Sequence, residues 1–401
     1  SSFDGRGGGS GGNASTPSSR LRAWPATRRR TVLRLMPSAR AIARALVVLP
    51  AVVCGGALLA HAGCSRRPEP GAPIPVERTI GGIGDTPGRF TYPRGIDRDP
   101  VTHTLWVVDR SGRIQELDPV TGRCLTIIRL PRTELGFPVG LTIAPGLDSR
   151  GQWSEHMMYV PDTHYNRVMV FDPPTSEEEA RKPRSPDDPP RIVDPVIARQ
   201  VGTYGTGDGQ FIYPTDVCVL LSPDKKKVER IYISEYGGND RVSVYDADLK
   251  FQFSFGAFGS SAAKDKVEFN RPQEVWLDHD AAGSARLVIV DARNHRIGRF
   301  TLDGALIGWI GSPDSAGREP GQFLFPWSLS LLGDGTALVA EFQGCRVQRV
   351  NLETGASLGI YGHAGLRDGE LNSPWAMTRL DDEIFLVDAR NNRVVGFRPP
   401  S

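Results

Sequence analysis

Short apolar runs and polar breaks alternate along most of the chain, and long stretches of helical periodicity are absent. The runs are rich in Val, Ile, Leu, Phe, Tyr and Trp, and Gly, Asp, Asn and Pro separate them. This pattern predicts antiparallel strands joined by turns. The clearest example is Gly369–Phe397, GELNSPWAMTRLDDEIFLVDARNNRVVGF, in which three runs follow one another.

The same unit recurs six times. Each copy has a proline before its first run, an acidic residue at the end of its second run and an arginine before its third. The prolines are Pro93, Pro138, Pro214, Pro272, Pro326 and Pro374, the acids are Asp109, Asp162, Glu235, Asp291, Glu341 and Asp388, and the arginines are Arg113, Arg167, Arg241, Arg296, Arg346 and Arg393. Most copies add a fourth run, and the repeat therefore predicts an all-β, six-bladed β-propeller of four-stranded antiparallel blades.

The two ends of the repeat region complement each other. The last copy ends at Phe397 without a fourth run, whereas a spare apolar run, Val76–Ile80, precedes the first copy. Pairing this run with Arg393–Phe397 would complete the last blade and leave no open sheet edge at the seam. We therefore predict one propeller domain over residues 76–397, with a short tail at 398–401.

Several segments resemble the NHL repeat family. The matching text is GQFIYPTDV at Gly209–Val217, GQFLFPWSL at Gly321–Leu329 and VDARNNRVV at Val387–Val395. The resemblance covers about residues 76–397 and implies a six-bladed propeller with a ligand or partner on one face. Propellers of the YWTD and SMP-30 types are the nearest alternatives and have the same architecture.

The N-terminal region has a different composition. Residues 1–35 are rich in Gly and Ser and contain a basic run, so we expect no packed structure there and take Met36 as an alternative start. Residues 36–63 combine arginines with an apolar stretch, which predicts a secretory signal peptide. The segment resembles a lipoprotein signal, which implies lipidation of Cys64, a tether over 64–75, and an exported, membrane-anchored bacterial protein facing the periplasm or the cell surface. Plain secretion and an uncleaved anchor are the alternatives.

Charge and cysteine content limit the possible functions. The chain has a net charge of +2, but residues 1–63 contain nine Arg and one Asp, which leaves −6 for the remainder. An acidic domain is a poor partner for phosphate backbones, so we expect no nucleic-acid binding. The five cysteines are scattered and predict no disulfide framework.

A proline-rich, charged segment interrupts the repeats at residues 172–199. It reads DPPTSEEEARKPRSPDDPP at its start and has charges of both signs. We predict a solvated insert between blades two and three.

Binding residues are expected where the strands that follow the repeat prolines open on the axis. Side chains just after these prolines, together with those in the turns after the six acids, should surround one mouth. The candidate ligand-binding residues are Arg94, Arg110, Tyr236, Gln273, Glu274, Arg293, Trp327, Trp375 and Arg390. Paired indoles suit a sugar, an aromatic group or a cation, and guanidinium groups suit a carboxylate. The alternatives are that the tryptophans plug the channel and that the arginines form a solvated rim.

Metal chemistry has weaker sequence support. The alpha-amidating lyase, a relative in the NHL fold, implies zinc-binding His directly after the repeat prolines, but here these positions hold Arg94, Val139, Thr215, Gln273, Trp327 and Trp375. Arg110 and Tyr236 resemble residues of that lyase's cleft. Asp216 and Glu274 would be the ligands of a calcium ion at the axis. We expect the repeated acid–arginine pairs to serve the blades, because they recur in every copy.

The resulting functional prediction is a binding or scaffold module for a protein, a peptide or a glycan on one face, without a cofactor. The alternative is a metal-dependent hydrolase or lyase of the lactonase or amidating-lyase type.

Overall fold

A computed structural model of the protein describes residues 71–174, 182 and 184–400, and in this part of the chain the strands form the predicted six-bladed β-propeller. From the axis outward, blade 1 consists of β2 (Pro93–Asp99), β3 (Thr104–Asp109), β4 (Arg113–Leu117), β5 (Cys124–Arg129) and β9 (Arg191–Val193), and blade 2 consists of β6 (Thr142–Leu147), β7 (Trp153–Asp162), β8 (Arg167–Phe171) and β10 (Ile197–Val201). In the same order, blade 3 consists of β11 (Tyr213–Leu221), β12 (Val228–Tyr236), β13 (Arg241–Tyr245) and β14 (Phe251–Phe255), and blade 4 consists of β17 (Pro272–His279), β18 (Ala285–Asp291), β19 (Arg296–Phe300) and β20 (Leu306–Gly311). Blade 5 consists of β21 (Pro326–Leu331), β22 (Thr336–Glu341), β23 (Arg346–Asn351) and β24 (Ser357–Tyr361), and blade 6 consists of β25 (Pro374–Leu380), β26 (Glu383–Asp388), β27 (Arg393–Phe397) and β1 (Arg78–Gly81).

The remaining elements are short. A two-stranded parallel pair, β15 (Ala257–Phe258) and β16 (Glu268–Phe269), precedes blade 4. Single 3₁₀ turns are η1 (Thr163–Tyr165), η2 (Ala292–Asn294), η3 (Pro313–Ser315) and η4 (Ala389–Asn391). Of these, η1, η2 and η4 connect the second and third strands of their blades, on the mouth side.

The hydrophobic core lies between neighbouring blades. The innermost strands contact one another around the axis, and each pair of adjacent sheets encloses its own cluster of buried side chains. Between blades 4 and 5, for example, Val290 packs with Leu329 and Val339, all fully buried. Burial of each such side chain contributes about 1.5–3 kcal/mol to folding. The wheel is therefore held together at every blade junction.

The ring closes through the N-terminal strand, as the sequence predicts. Strand β1 pairs with β27 in antiparallel register, with Arg78 opposite Gly396 and Gly81 opposite Arg393. The prediction placed the strand at 76–80, and it is observed at Arg78–Gly81. The third strand of blade 6 is thereby covered by the start of the domain.

Residues 71–75, predicted as part of a tether, are packed on blade 5. Ala72 forms a parallel bridge with Tyr361, the Ile74 side chain is buried, and the Ile74 amide donates to the Gly369 carbonyl at 3.0 Å. The tether prediction is wrong for these five residues, because an apolar side chain and backbone groups find partners at the edge of blade 5.

The 172–199 insert lies inside blade 2, not between blades two and three as predicted. Its last part enters β10, which pairs with β8 as the fourth strand of blade 2. Within the insert, β9 pairs in parallel with β5 and adds a fifth strand to blade 1. The polar composition concealed two short strands whose partners lie on both sides of a blade junction.

In five of the six blades the acid–arginine pair ties the blade to the loop that enters it; in blade 2, Arg167 contacts Asp162 and Gln200 instead. In blade 4, Arg296 contacts the Asp291 carboxylate at 2.8 Å and donates to the carbonyls of Ser261 and Glu268 at 2.9 and 2.7 Å. Asp291 in turn accepts from the Asn270 amide at 2.7 Å. All six pairs form ion pairs. This geometry supports the structural role expected from the sequence.

A ring of hydrogen bonds joins the six inner strands around the axis. One polar side chain per blade reaches the backbone or side chain of the next blade. The contacts are Asp97 Oδ2 with Ile143 N (2.8 Å), Thr142 Oγ1 with Val217 O (2.7 Å), Asp216 Oδ2 with Val275 N (2.9 Å), Glu274 Oε2 with Leu329 N (2.7 Å), Ser328 Oγ with Met377 N (2.9 Å), and Thr378 Oγ1 with Asp97 Oδ1 (2.9 Å).

The predicted low-complexity segment 1–35, the signal peptide 36–63 and Cys64 lie outside the described residues. Within the described ranges, no helix has the length and apolar character needed to cross a membrane.

Candidate binding face at the mouth of the propeller

The mouth is shaped by the residues that directly precede the repeat prolines. Tyr92, Arg271, Phe325 and Ser373 have φ angles of 54°, 68°, 60° and 58°, in the left-handed region. This conformation is uncommon for residues with a side chain, and it is costly for bulky ones. It places Tyr92, Arg271 and Phe325 against the tryptophans of the mouth.

Hydrogen bonds from the preceding blade hold three of these residues. The Tyr92 amide donates to Asn392 Oδ1 at 2.8 Å, and the Phe325 amide donates to His295 Nδ1 at 3.1 Å. The Arg271 amide donates to Asp240 Oδ1 at 2.6 Å. His295 thus connects blades 4 and 5 through this hydrogen bond, and burial lowers its pKa.

The two predicted tryptophans form the floor of the mouth. Trp327 and Trp375 are 4 % and 8 % exposed, and their rings contact each other edge to face with centroids 4.8 Å apart. Phe342 lies 4.8 Å from Trp327 and 5.5 Å from Trp375. Beneath them remains a space of about 30 Å³. The indoles therefore plug the axis, the second of the two roles that the sequence left open, and leave a shallow surface above them.

Three arginines lie on this aromatic floor. The Arg94 guanidinium is 5.3 Å from the Trp375 ring, and that of Arg110 is 5.5 Å from the Tyr92 ring. Arg271 is inserted between two rings, 4.2 Å from Tyr236 and 4.4 Å from Trp327. We call this surface the arginine–aromatic face; it comprises Tyr92, Arg94, Arg110, Tyr236, Arg271, Phe325, Trp327, Phe342 and Trp375.

The positive charge on this face is only partly compensated, because Asp240 acts on the charge of Arg271. Among the described residues, Arg94, Arg110 and Arg271 form no ion pair. Burial and, secondarily, the neighbouring charge of Arg110 lower the pKa of Arg94 to about 10. Burial also lowers the pKa of Arg271, and Arg293 contributes in the same direction. Half-buried guanidinium groups that repel one another favour the approach of an anion.

Two further features connect the arginines to their surroundings. Arg271 Nε donates to Gln273 Oε1 at 3.0 Å, and the Nε of Arg94 is buried without a hydrogen-bond partner in the described part of the chain. Tyr236 stacks obliquely on Tyr213 at 5.2 Å. His164 lies at 6.4 Å from Tyr213, and its pKa is lowered by burial, with smaller contributions from Arg94 and Arg110.

The structure brings together most of the predicted binding residues, but not all. Arg94, Arg110, Tyr236, Trp327 and Trp375 belong to the arginine–aromatic face. Gln273 is buried and supports Arg271. Arg293 is exposed on η2 close enough to act on the charge of Arg271, and Arg390 is exposed on η4 outside the ring contacts described above.

Glu274 does not face the mouth, which corrects its prediction as a ligand-binding residue. Its carboxylate accepts from the Leu329 amide at 2.7 Å and from Ser328 Oγ at 2.9 Å. Together with Asp216 it borders a cavity of about 200 Å³ below the tryptophan floor. The residue belongs to the ring of hydrogen bonds between blades, because its long side chain reaches the next inner strand.

Asp216 and Glu274 do not fit the predicted calcium site. Burial, above all, raises the pKa of Asp216 to about 7, and burial together with Asp216 raises the pKa of Glu274. The oxygens are already bonded to protein donors. The described residues contain no group of three His, Cys, Asp or Glu side chains arranged to hold a metal. A hard cation prefers several oxygen ligands, and the oxygens of this pair are engaged by amides of the neighbouring strands.

The sequence interpretation missed Tyr92, Arg271 and Phe325. The candidate residues of the inner strands all follow a repeat proline, whereas these three residues precede one. The usable signal was the column Tyr92, Phe137, Tyr213, Arg271, Phe325 and Ser373, which is mostly aromatic.

Comparisons with known proteins find solved structures that resemble this chain at low sequence identity. A protein of unknown function from Bacteroides thetaiotaomicron is 13 % identical, with 82 % of this chain and 74 % of that chain covered and a TM-score of 0.51. Virginiamycin B lyase from Staphylococcus aureus with quinupristin is 14 % identical, with coverages of 80 % and 87 % and a TM-score of 0.46. The PQQ-bound aldose sugar dehydrogenase from Streptomyces coelicolor is 17 % identical, with coverages of 82 % and 99 % and a TM-score of 0.46.

No family model and no curated protein matches the sequence. The structural neighbours are propeller proteins, and at these identities the similarity concerns the fold alone. The chain is a six-bladed β-propeller whose NHL resemblance remains a prediction.

Proposed function

We propose that this protein is a binding module that takes an acidic protein, peptide or glycan segment on the arginine–aromatic face. The observation that carries the proposal is the position of Arg94, Arg110 and Arg271 over aromatic rings, without an ion-pair partner among the described residues. A carboxylate would pair with the guanidinium forks, while a sugar ring or a flat side chain would cover the exposed ring edges.

The surroundings of the mouth support an extended partner. The loops that enter five of the six blades on this side each present an exposed apolar side chain, and the free space at the axis is too small for a ligand to enter deeply. These side chains are Ile83, Leu135, Tyr204, Phe258 and Leu366. Apolar tips around a basic centre favour a partner broader than a small metabolite.

Calorimetric titration with two acidic probes tests the proposal. The probes are oligogalacturonate and a Glu- and Tyr-rich peptide, each compared with a neutral counterpart. We expect wild-type protein to bind at least one acidic probe, and Arg94→Gln combined with Arg271→Gln to weaken that binding at least tenfold, or about 1.4 kcal/mol. Arg150→Gln is the matched control, because Arg150 is exposed on the opposite face.

Two results would overturn the proposal. One is wild-type protein that binds neither acidic probe. The other is a folded double variant with wild-type affinity, since the charge of these arginines would then contribute nothing.

The metal-dependent hydrolase or lyase predicted as the alternative stays a second candidate. The structural neighbours include lyases, but at a similarity that concerns the fold alone, and Asp216 and Glu274 are engaged by protein donors. Metal analysis of the purified protein, with activity on a lactone panel supplied with calcium or zinc, decides it.

We further propose export and membrane anchoring through a lipid on Cys64, on the basis of the leader-like segment 36–63. Fractionation of cells that express wild-type protein or Cys64→Ala tests this: the variant should leave the membrane fraction. A variant that stays membrane-bound would reject lipidation as the anchor.

A further inference from the structure

A second concave site lies between blades 2 and 3, on the face opposite the mouth. Its volume is about 490 Å³, far larger than the space beneath the tryptophans. The lining residues come from the ends of β6, β7 and β12 and from the turns that follow β11 and β13. We call it the side cavity. Its size falls in the range of about 300–1,000 Å³ typical of small-molecule sites.

The inner wall of the side cavity is apolar. Tyr159, Val170, Ile231 and Leu249 are buried residues of the core between these blades, and Trp153 packs against them from the rim. The Tyr159 hydroxyl is directed to the Pro145 carbonyl at 3.1 Å, so it is already satisfied. The wall therefore offers hydrocarbon and aromatic surface, without a free polar group from Tyr159.

The rim carries the polar groups, and most of its acids are engaged. Asp246 accepts from the amides of Asp248 and Lys250 at 2.9 and 3.0 Å and from Gln252 at 3.1 Å. Asp248 lies 3.8 Å from Arg199, which also donates to the Ala247 carbonyl at 2.6 Å. These bonds fold the turn between β13 and β14, direct the Asp246 carboxylate to amide groups of that turn and place Arg199 beside Asp248.

Two lysines at the rim form no ion pair with Asp246 or Asp248. Lys226 and Lys227 are exposed on the turn between β11 and β12, and within the described residues neither forms an ion pair. Glu229 is the only other acid of the lining besides Asp246 and Asp248. Asp224, on the same turn, interacts electrostatically with Lys227. An apolar wall that ends at two exposed ammonium groups is complementary to a molecule with an apolar body and an acidic head.

We propose that the side cavity binds a small amphipathic carboxylate, with its hydrocarbon or aromatic body against Trp153, Val170 and Ile231 and its carboxylate at Lys226 and Lys227. The proposal is independent of the arginine–aromatic face, because the two sites share no residue and lie on opposite faces. It concerns a ligand small enough to be enclosed, whereas the mouth offers a shallow surface.

Titration with dodecanoate, followed by calorimetry and tryptophan fluorescence, tests the proposal, with dodecanol as the neutral probe. Lys226→Gln combined with Lys227→Gln should raise the Kd for dodecanoate at least tenfold and leave the Kd for dodecanol unchanged. Lys225→Gln is the control: it removes one positive charge from the same turn, but Lys225 does not line the cavity. Its affinity should equal that of wild-type protein.

Two further variants locate the ligand. Ala247→Phe should fill part of the cavity and abolish dodecanoate binding, with an unchanged melting profile as the sign of folding. Trp153→Phe should remove the ligand-induced fluorescence change, and it serves even where Ala247→Phe fails to fold. No dodecanoate binding by wild-type protein, equal affinities of the double variant and Lys225→Gln, or an unchanged fluorescence response in Trp153→Phe would each overturn the proposal.

Discussion

At the scale of single residues, burial decides which charged groups can act. The carboxylates at the axis are bonded to backbone amides, and their pKa values are raised, whereas Arg94 and Arg110 lie beside aromatic rings without an ion-pair partner among the described residues. Residue types alone made Glu274 and Arg94 equal candidates. Their surroundings separate a group that joins two blades from one that can meet a ligand.

Glu274→Gln should stabilise the protein at alkaline pH. Because the folded-state pKa of Glu274 is raised, and that of Asp216 is about 7, the folded state binds more protons than the unfolded state above pH 4. Stability from this pair is therefore present at low pH and is lost as pH rises toward 7 and beyond. Urea unfolding at pH 8 should show a gain on the order of 1 kcal/mol, and a smaller gain at pH 5.

Glu319→Gln is the control for this experiment, since Glu319 is exposed. Equal effects of Glu274→Gln at both pH values would contradict the assignment of a raised pKa.

The arginines of the acid–arginine pairs should contribute differently to the free energy of unfolding, according to the hydrogen bonds that each one forms. Arg296 is fully buried and bonded to Asp291 and three carbonyls, so Arg296→Met leaves an enclosed carboxylate alone and should cost about 3–5 kcal/mol. Arg167 contacts Asp162 and Gln200 and is partly exposed, so Arg167→Met should cost about 1–2 kcal/mol. Urea denaturation compares them, and a larger loss for Arg167→Met would reject this ranking.

At the scale of elements, some features of a blade come from one copy of the repeat, whereas others come from distant parts of the chain. The acid–arginine pair and the repeat proline lie within one copy of the repeat, so the sequence shows them directly. The fourth strand of blade 6 comes from the start of the domain, and the fourth strand of blade 2 follows a long insert. The sequence indicates the origin of the fourth strand of blade 6, because the last copy lacks a fourth run and a spare run precedes the first copy. No such pattern indicates where the fourth strand of blade 2 comes from.

Removal of the closing strand should destabilise the whole domain. A chain that starts at residue 82 lacks β1 and the packed segment 71–75, which leaves β27 with an open edge and Ile80 absent from the core. We expect a strong decrease in melting temperature and aggregation on heating, measured by circular dichroism and light scattering. A chain that starts at residue 71 is the control and should melt like the full chain; the same melting temperature for both would show that closure is dispensable.

At the scale of the whole molecule, the predictable part was the symmetric part. Blade number, closure and the location of the mouth follow from a repeat that is visible in the sequence. The left-handed residues Tyr92 and Phe325, the sealed axis and the side cavity arise where particular side chains from different blades meet. Such meetings depend on volumes and rotamers, which a repeat pattern does not encode.

The placement of the insert predicts that the propeller stays assembled when the chain is cleaved within the insert. A protease site introduced between Asp187 and Asp188, both exposed, would divide blade 2 so that β8 and β10 belong to different fragments. The β8–β10 ladder and the β1–β27 ladder would still join the two fragments. We expect one peak in size-exclusion chromatography after cleavage and two species in concentrated urea. Separation of the fragments in native buffer would contradict this view of the fold.

The contact between Trp327 and Trp375 determines whether solutes can pass through the centre of the propeller. Because the indoles meet at the axis, solutes on one side of the disc have no central passage to the other. A partner at the arginines and a guest in the side cavity would occupy separate compartments. If binding at one site influenced binding at the other, the effect would pass through the strands of blades 2 and 3, and not through solute that diffuses along the axis.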